Sequence, residues 1–115
     1  MTHRILVVDD EPDITALVAY HLAKAGYRVS TAARGPDALK AATEERPDVV
    51  ILDLMLPGMS GYDVLAELRA RPETRNIGVI LLTARTQKAD RIRRLTLGAD
   101  HYLTQPFSPA ELTLR

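Results

Sequence analysis

Four acidic residues, Asp9, Asp10, Glu11 and Asp13, follow the apolar run Ile5 to Val8, and a further aspartate, Asp53, closes the apolar run Val49 to Leu52. If those runs are neighbouring strands, their ends bring Asp9, Asp10 and Asp53 into one small volume. Bare carboxylates repel there: at about 4 Å and an effective dielectric of about 20, each pair costs roughly 4 kcal/mol before relaxation. A divalent cation offsets that repulsion, and hard oxygen ligands with room for water and a phosphate describe Mg2+ better than zinc. Taken alone, the acidic stretch reads equally well as a solvated helix start favoured by the helix dipole. Asp53 resists that reading, because it ends a buried strand pattern and precedes the loop Leu54 to Gly61, which carries Pro57 and Gly58. It is a turn former or a nucleophile, and the partner carboxylates favour the nucleophile. Later apolar runs end in Thr83-Ala84-Arg85 and Thr104-Gln105-Pro106. There Thr83 also reads as a helix cap, Tyr102 as a half-buried edge-strand aromatic and Pro106 as an ordinary turn.

These residues need a frame to hold them. Ile5 to Val8, Val49 to Leu52 and Val79 to Leu82 are short, unbroken and rich in β-branched residues, as strands buried on both faces of a parallel sheet must be. Between them lie apolar residues at helical spacing: Ile14, Leu17, Val18, Leu22 and Ala25; Ala38, Leu39 and Ala42; Val64, Leu65 and Leu68; Ile92 and Leu95. Pro12 near one helix start, Gly26 after its end, Gly35-Pro36 before the second helix, Pro47 and Pro72 beyond two ends and Gly98 closing another punctuate the same segments. Arg28 to Ala32 and His101 to Thr104 are more polar and suit sheet edges. Five strands alternating with helices through right-handed crossovers predict a doubly wound α/β domain, whose ligands bind beyond the carboxyl ends of the strands.

Composition narrows the function. The 115 residues, 46% of them hydrophobic, suffice for one core and a single domain over 1–115. Fifteen Lys and Arg balance fifteen Asp and Glu, which argues against coating nucleic acid by charge alone. The absence of cysteine removes disulfides, thiolate catalysis and zinc-thiolate sites, and fits a cytoplasmic location. No apolar run reaches membrane-spanning length and no signal-peptide pattern is present, so no membrane association is expected. A final helix with Ser108 as N-cap and Pro109 at its first position reaches only about two turns by Arg115, which reads as a truncated helix.

Four segments carry a family resemblance: Ile5-Leu-Val-Val-Asp-Asp-Glu11, Val50-Ile-Leu-Asp-Leu-Met-Leu-Pro-Gly-Met-Ser-Gly61, Leu82-Thr-Ala-Arg85 and Gly98-Ala-Asp-His-Tyr-Leu-Thr-Gln-Pro-Phe107. Together, in order and over essentially the whole chain, they resemble the receiver domain of bacterial two-component response regulators, in particular the N-terminal receiver of winged-helix transcriptional regulators. The resemblance implies a flavodoxin-like, five-stranded (βα)5 domain of strand order 2-1-3-4-5. It implies that Asp53 accepts a phosphoryl group from a sensor histidine kinase or phosphotransfer domain, with small phosphodonors also serving. Asp10 would bind Mg2+ directly and Asp9 directly or through water, alongside Asp53 and the backbone carbonyl of Met55. Thr83 would bond a phosphoryl oxygen, and Tyr102 would rotate inward behind it. Such chemistry is positioning plus charge neutralisation, without turnover of an independent substrate. Kinase docking would run along the first helix, where Ile14, Leu17 and His21 share a face, although core packing explains Leu17 at least as well.

The sequence also departs from the family. Gln105 stands where receivers carry lysine, so hydrogen bonding remains but the charge is lost; Asp53 is still expected to take the phosphoryl group, with weaker coupling to the output surface. Arg91, Asp100, Glu111 and Arg115 match a symmetric dimer face, whereas His101 replaces an acidic residue and Leu97 a charged one; a solvated helix with a basic run is the bland alternative. DNA would be reached only through an effector domain outside this sequence. Two other readings stand beside the switch: a degenerate receiver that binds partners without phosphorylation, and a small Mg2+-dependent phosphatase with an aspartyl nucleophile. The latter lacks a nearby general acid and a substrate cap.

Overall fold

The computed structural model describes residues 3–54, 56–84 and 101–105, with 83, 84 and 101–105 described as strand backbone. The elements run β1 (Arg4–Val8), α1 (Pro12–Lys24), β2 (Arg28–Ala32), α2 (Gly35–Glu45), β3 (Val49–Asp53), α3 (Gly61–Ala70), β4 (Gly78–Ala84) and β5 (His101–Gln105). All strand pairs are parallel and the sheet order is β2-β1-β3-β4-β5. The two polar segments expected at the edges are the edges, and the three apolar runs are the centre.

Side chains on the central strands alternate between two core layers, as the two-residue period of a strand requires. Leu6, Val8, Val50, Leu52, Val79 and Leu81 pack against Ala38, Leu39 and Ala42 of α2 and Val64, Leu65 and Leu68 of α3. Ile5, Val7, Ile51, Ile80 and Leu82 face the other way, against Val18 and Leu22 of α1. Each fully buried Leu, Ile or Val contributes about 1.5–3 kcal/mol relative to exposure, so the centre of the sheet is the most strongly fixed part of the domain. In register, Val8 sits beside Leu52 and Asp53 beside Leu82, which aligns the carboxyl ends of β1, β3 and β4.

Two sequence expectations need correction. Core packing does not account for Leu17, which is 53% exposed, because Val18 and Leu22 define the buried stripe at i, i+4 spacing and Leu17 lies one helical step off it; Ala25 is the exposed C-cap of α1. Gly35 is the first residue of α2, with Arg34 as N-cap, and not part of a turn before it. The helix expected around Ile92 and Leu95, closed by Gly98, and the one expected from Ser108 lie outside the described residues. No described helix is long and apolar enough to cross a membrane.

The α3–β4 connection is held by polar contacts, one of them fully buried. The Thr74 hydroxyl, fully buried, donates to the Leu68 carbonyl at 2.7 Å, and the Arg69 guanidinium donates to the carbonyls of Arg75 and Ile77 at 3.0 and 2.6 Å. These bonds cap the exit of α3 and deliver the chain to β4 in register with β3.

Candidate functional site

The site grows from the ends of β1 and β3. The Asp9 N–H donates to the Ala32 carbonyl at 3.1 Å, continuing the β1–β2 ladder one step beyond Val8. Asp9 Oδ1 accepts the Glu11 N–H at 2.9 Å, and the Thr15 hydroxyl lies 3.2 Å from the Asp9 carbonyl and 3.1 Å from that of Glu11. Glu11 is the N-cap of α1 and Pro12 opens the helix, where its missing N–H costs nothing. Asp9 is thereby locked at the junction and is only 3% exposed.

Asp53 ends β3 and is 9% exposed. After it, the Leu54 N–H points to the Leu82 carbonyl at 3.4 Å, and the Gly61 N–H closes the following loop onto the Leu54 carbonyl at 3.1 Å. α3 then opens with a reciprocal capping box between Ser60 and Asp63, which fixes where the loop must end.

Because β1 and β3 are neighbours, Asp9, Asp10 and Asp53 each offer a carboxylate oxygen within 4.8 Å of the others. Asp10 is exposed and leaves the cluster open to solvent. Asp9 Oδ2 is buried and has no hydrogen-bond partner, an arrangement that a folded protein rarely keeps without an ion, water or ligand. Burial pushes the Asp9 carboxyl up to about 6 against the lowering effect of the Glu11 N–H, and the negative charges of Asp53, Glu11 and Asp10 push it further. Buried oxygen, crowded charge and an all-carboxylate donor set fit a hard divalent cation.

The raised Asp9 pKa has a signed consequence for stability. A carboxyl that is harder to ionise in the folded than in the unfolded chain destabilises the fold once deprotonated, so its penalty is absent below about pH 4 and complete above about pH 6. The shift corresponds to roughly 3 kcal/mol. Urea unfolding of the metal-free domain is therefore expected to show Asp9→Asn gaining stability on wild type by about that amount as pH rises from about 4 to about 6.5. A difference independent of pH would contradict this account.

The remaining expected site residues fall on the same framework, to different extents. Thr83 follows Leu82, the register neighbour of Asp53, on β4, and Gln105 ends β5 opposite Ala84. Tyr102 pairs with Leu81 and His101 with Ile80, further back along the strands. Met55, Leu97, Asp100 and the expected dimer residues Arg91, Glu111 and Arg115 lie outside the described residues. On α1, Ile14 packs against the core while Leu17 stands exposed. Tyr20, which sequence reasoning missed, is 60% exposed, with the His21 ring edge-on at 5.3 Å and the Lys24 ammonium 5.9 Å from its centroid. In the sequence Gly61 reads only as a loop glycine, yet a Cβ there would lie 2.5 Å from the Asp53 carbonyl oxygen and 2.6 Å from the Leu54 Cα. Its signal was its place at the end of the loop directly ahead of an apolar helical repeat.

Comparison with known proteins agrees with this geometry. The family model for the response regulator receiver domain matches residues 5–115. The chain is 44% identical over 115 residues to the alkaline phosphatase synthesis transcriptional regulatory protein PhoP of Bacillus subtilis, covering all of this chain and 47% of that protein. The chain thus spans about half the length of the curated relatives it matches. Among solved structures, it resembles the receiver domain of the Pseudomonas aeruginosa sensor histidine kinase PA1611, with magnesium coordinated in its active site cleft, at TM-score 0.90 and 35% identity over 99% of this chain and 93% of that one. It also resembles the Vibrio cholerae chemotaxis protein CheY4, at TM-score 0.93 and 32% identity over 99% and 95% of the two chains.

Proposed function

The chain belongs to the response regulator receiver domain family, and from that membership we propose that it is a Mg2+-dependent phosphoacceptor switch built on Asp53. The observation that carries this reading is the convergence of Asp9, Asp10 and Asp53 around a buried carboxylate oxygen that has no partner. An Asp53 carboxylate oxygen attacks phosphorus in a phosphohistidine of a sensor kinase or phosphotransfer domain. The new O–P bond forms as the N–P bond breaks, and the departing imidazole takes up a proton. Asp9 and Asp10 would hold Mg2+ together with Asp53 and the backbone carbonyl of Met55. The ion supplies charge neutralisation for the phosphoryl oxygens. Burial of Asp53 and Asp9 keeps the local dielectric low, so each such contact is stronger than in bulk water.

Receiver domains are signalling domains, and this chain is assigned that role within a single domain over 1–115. Thr83 bonds a phosphoryl oxygen and Tyr102 follows it, carrying the change to an output surface. That surface includes Arg91, Glu111 and Arg115, which pair two copies. PhoP, the similar protein from Bacillus subtilis, is described as a transcriptional regulator; by analogy, the output here is control of DNA binding in the cytoplasm by an effector beyond this sequence.

Gln105 tunes the switch. A neutral side chain in place of the family's lysine leaves Mg2+ to balance more of the phosphoryl charge, so phosphorylation persists and its coupling to the output weakens. Beryllofluoride with Mg2+, followed by amide chemical shifts, is expected to perturb residues around Asp53 in wild type and to spread further in Gln105→Lys. Equal, full responses in both proteins would overturn this role for Gln105; no response around Asp53 in either would overturn the phosphoacceptor reading.

A further inference from the structure

Gly35 and Met59 meet where the β2–α2 turn approaches the loop that follows Asp53. A Cβ added at Gly35 would lie 2.9 Å from both the Met59 Cβ and Sδ and 3.0 Å from its Cγ, so the methionine lies flat on the glycine backbone. Gly35 is buried and its φ is not positive. The glycine is therefore explained by space rather than by conformational freedom. Within the loop, Leu54 and Leu56 are core anchors at 3% and 7% exposure, whereas half-buried Met59 reaches across to the first residue of α2.

The contact closes a ring around the carboxylates. From Asp53 the loop leads to Met59; Met59 rests on Gly35; the short turn behind Gly35 leads back to Ala32, whose carbonyl accepts the Asp9 N–H at 3.1 Å. Asp9 and Asp53 then meet again at the cluster, with ligand oxygens within 4.8 Å. We propose that Met59 is a positioning residue whose packing on Gly35 sets the spacing of Asp9 and Asp53, and hence the affinity of the site for Mg2+. This rests on the phosphoacceptor reading for its purpose, but its readout is metal affinity and not phosphorylation. Outer groups hydrogen-bonded to metal ligands commonly change affinity by about 10–100-fold when removed, and a packing contact that acts through the loop belongs at the low end.

The test is Mg2+ titration of the whole chain, followed by amide shifts, with circular dichroism to verify folding. Met59→Ala is expected to weaken Mg2+ binding about tenfold, and Met59→Leu, which restores the bulk, to return it to within about twofold. Gly35→Ala approaches the same contact from the other side and keeps the methionine. It is expected to weaken binding in the same sense, and its combination with Met59→Ala to cost less than the sum of the two. Wild-type Mg2+ affinity in folded Met59→Ala and Gly35→Ala would overturn the proposal. Phosphorylation of wild type with acetyl phosphate, measured alongside, reports separately on the phosphoacceptor reading: a chain that binds Mg2+ with the expected pattern but takes no phosphoryl group would defeat that reading and leave the role of Met59 standing.

Discussion

Asp53→Asn is expected to yield a folded domain that takes up no phosphoryl group and that, without Mg2+, melts at a higher temperature than wild type. The first effect is complete because, on the proposed mechanism, the substitution removes the carboxylate oxygen that attacks phosphorus and leaves an amide that cannot form the acyl phosphate. The second follows from charge. Asp53 is one of the negative groups that raise the Asp9 carboxyl to about 6, and it is itself only 9% exposed. Replacing it with a neutral amide of the same shape removes one repulsion from a cluster whose ligand atoms lie within 4.8 Å. Relief of about 1 kcal/mol or more, a rise of several degrees for a domain of this size, follows because Asp9 and Asp53 are buried while exposed Asp10 opens the cluster to solvent. Adding Mg2+ should reverse the order, because wild type gains binding energy that the variant has lost. A variant less stable than wild type in metal-free buffer would contradict the electrostatic account of the site.

Gly61→Ala is expected to be the most damaging single methyl addition near the site. The new Cβ would meet two backbone atoms, the Asp53 carbonyl oxygen at 2.5 Å and the Leu54 Cα at 2.6 Å. No rotamer change relieves a clash with backbone. Either α3 moves away from β3, against the buried contacts of Val64, Leu65 and Leu68, or the end of β3 moves and takes Asp53 with it. Overpacking of this kind costs about 1–3 kcal/mol, and thermal or urea unfolding should read a loss near the top of that range. Mg2+ affinity is expected to fall with stability, since Asp53 and the loop shift together. Gly58→Ala provides the contrast. Gly58 has φ +76 with open space around it, so an alanine costs roughly 1–2 kcal/mol of backbone strain but pushes nothing toward Asp53. Loss of stability with unchanged Mg2+ binding in Gly61→Ala would contradict the close-approach argument.

The sequence makes one-body properties legible and leaves two-body ones hidden. Val49 to Leu52 announces a central strand because a residue buried on both faces must be apolar at every position, and the polar Arg28 to Ala32 announces an edge. Once β1 and β3 are adjacent, the meeting of Asp9, Asp10 and Asp53 follows from where their strands stop. The burial of Asp9 does not follow, because it depends on how Thr15 and the start of α1 close over it. Leu17 and Tyr20 show the same limit: both are exposed, since the stripe through Val18 and Leu22 fixes which face of α1 turns inward. Gly35 and Gly61 read as punctuation, yet each is small because another chain segment lies against it, a fact held jointly by residues 24 and 7 positions apart, respectively Met59 and Leu54.

The most direct test of the switch is intact-mass measurement after incubation with acetyl phosphate, run with Mg2+ and again with a chelator, on wild type and Asp53→Asn. One phosphoryl group on wild type in the presence of Mg2+, and none with the chelator or on Asp53→Asn, is the expected result. Uptake that ignores Mg2+ or survives in Asp53→Asn, or no uptake by wild type at all, would contradict the assignment of Asp9, Asp10 and Asp53 as a metal-dependent phosphoacceptor site.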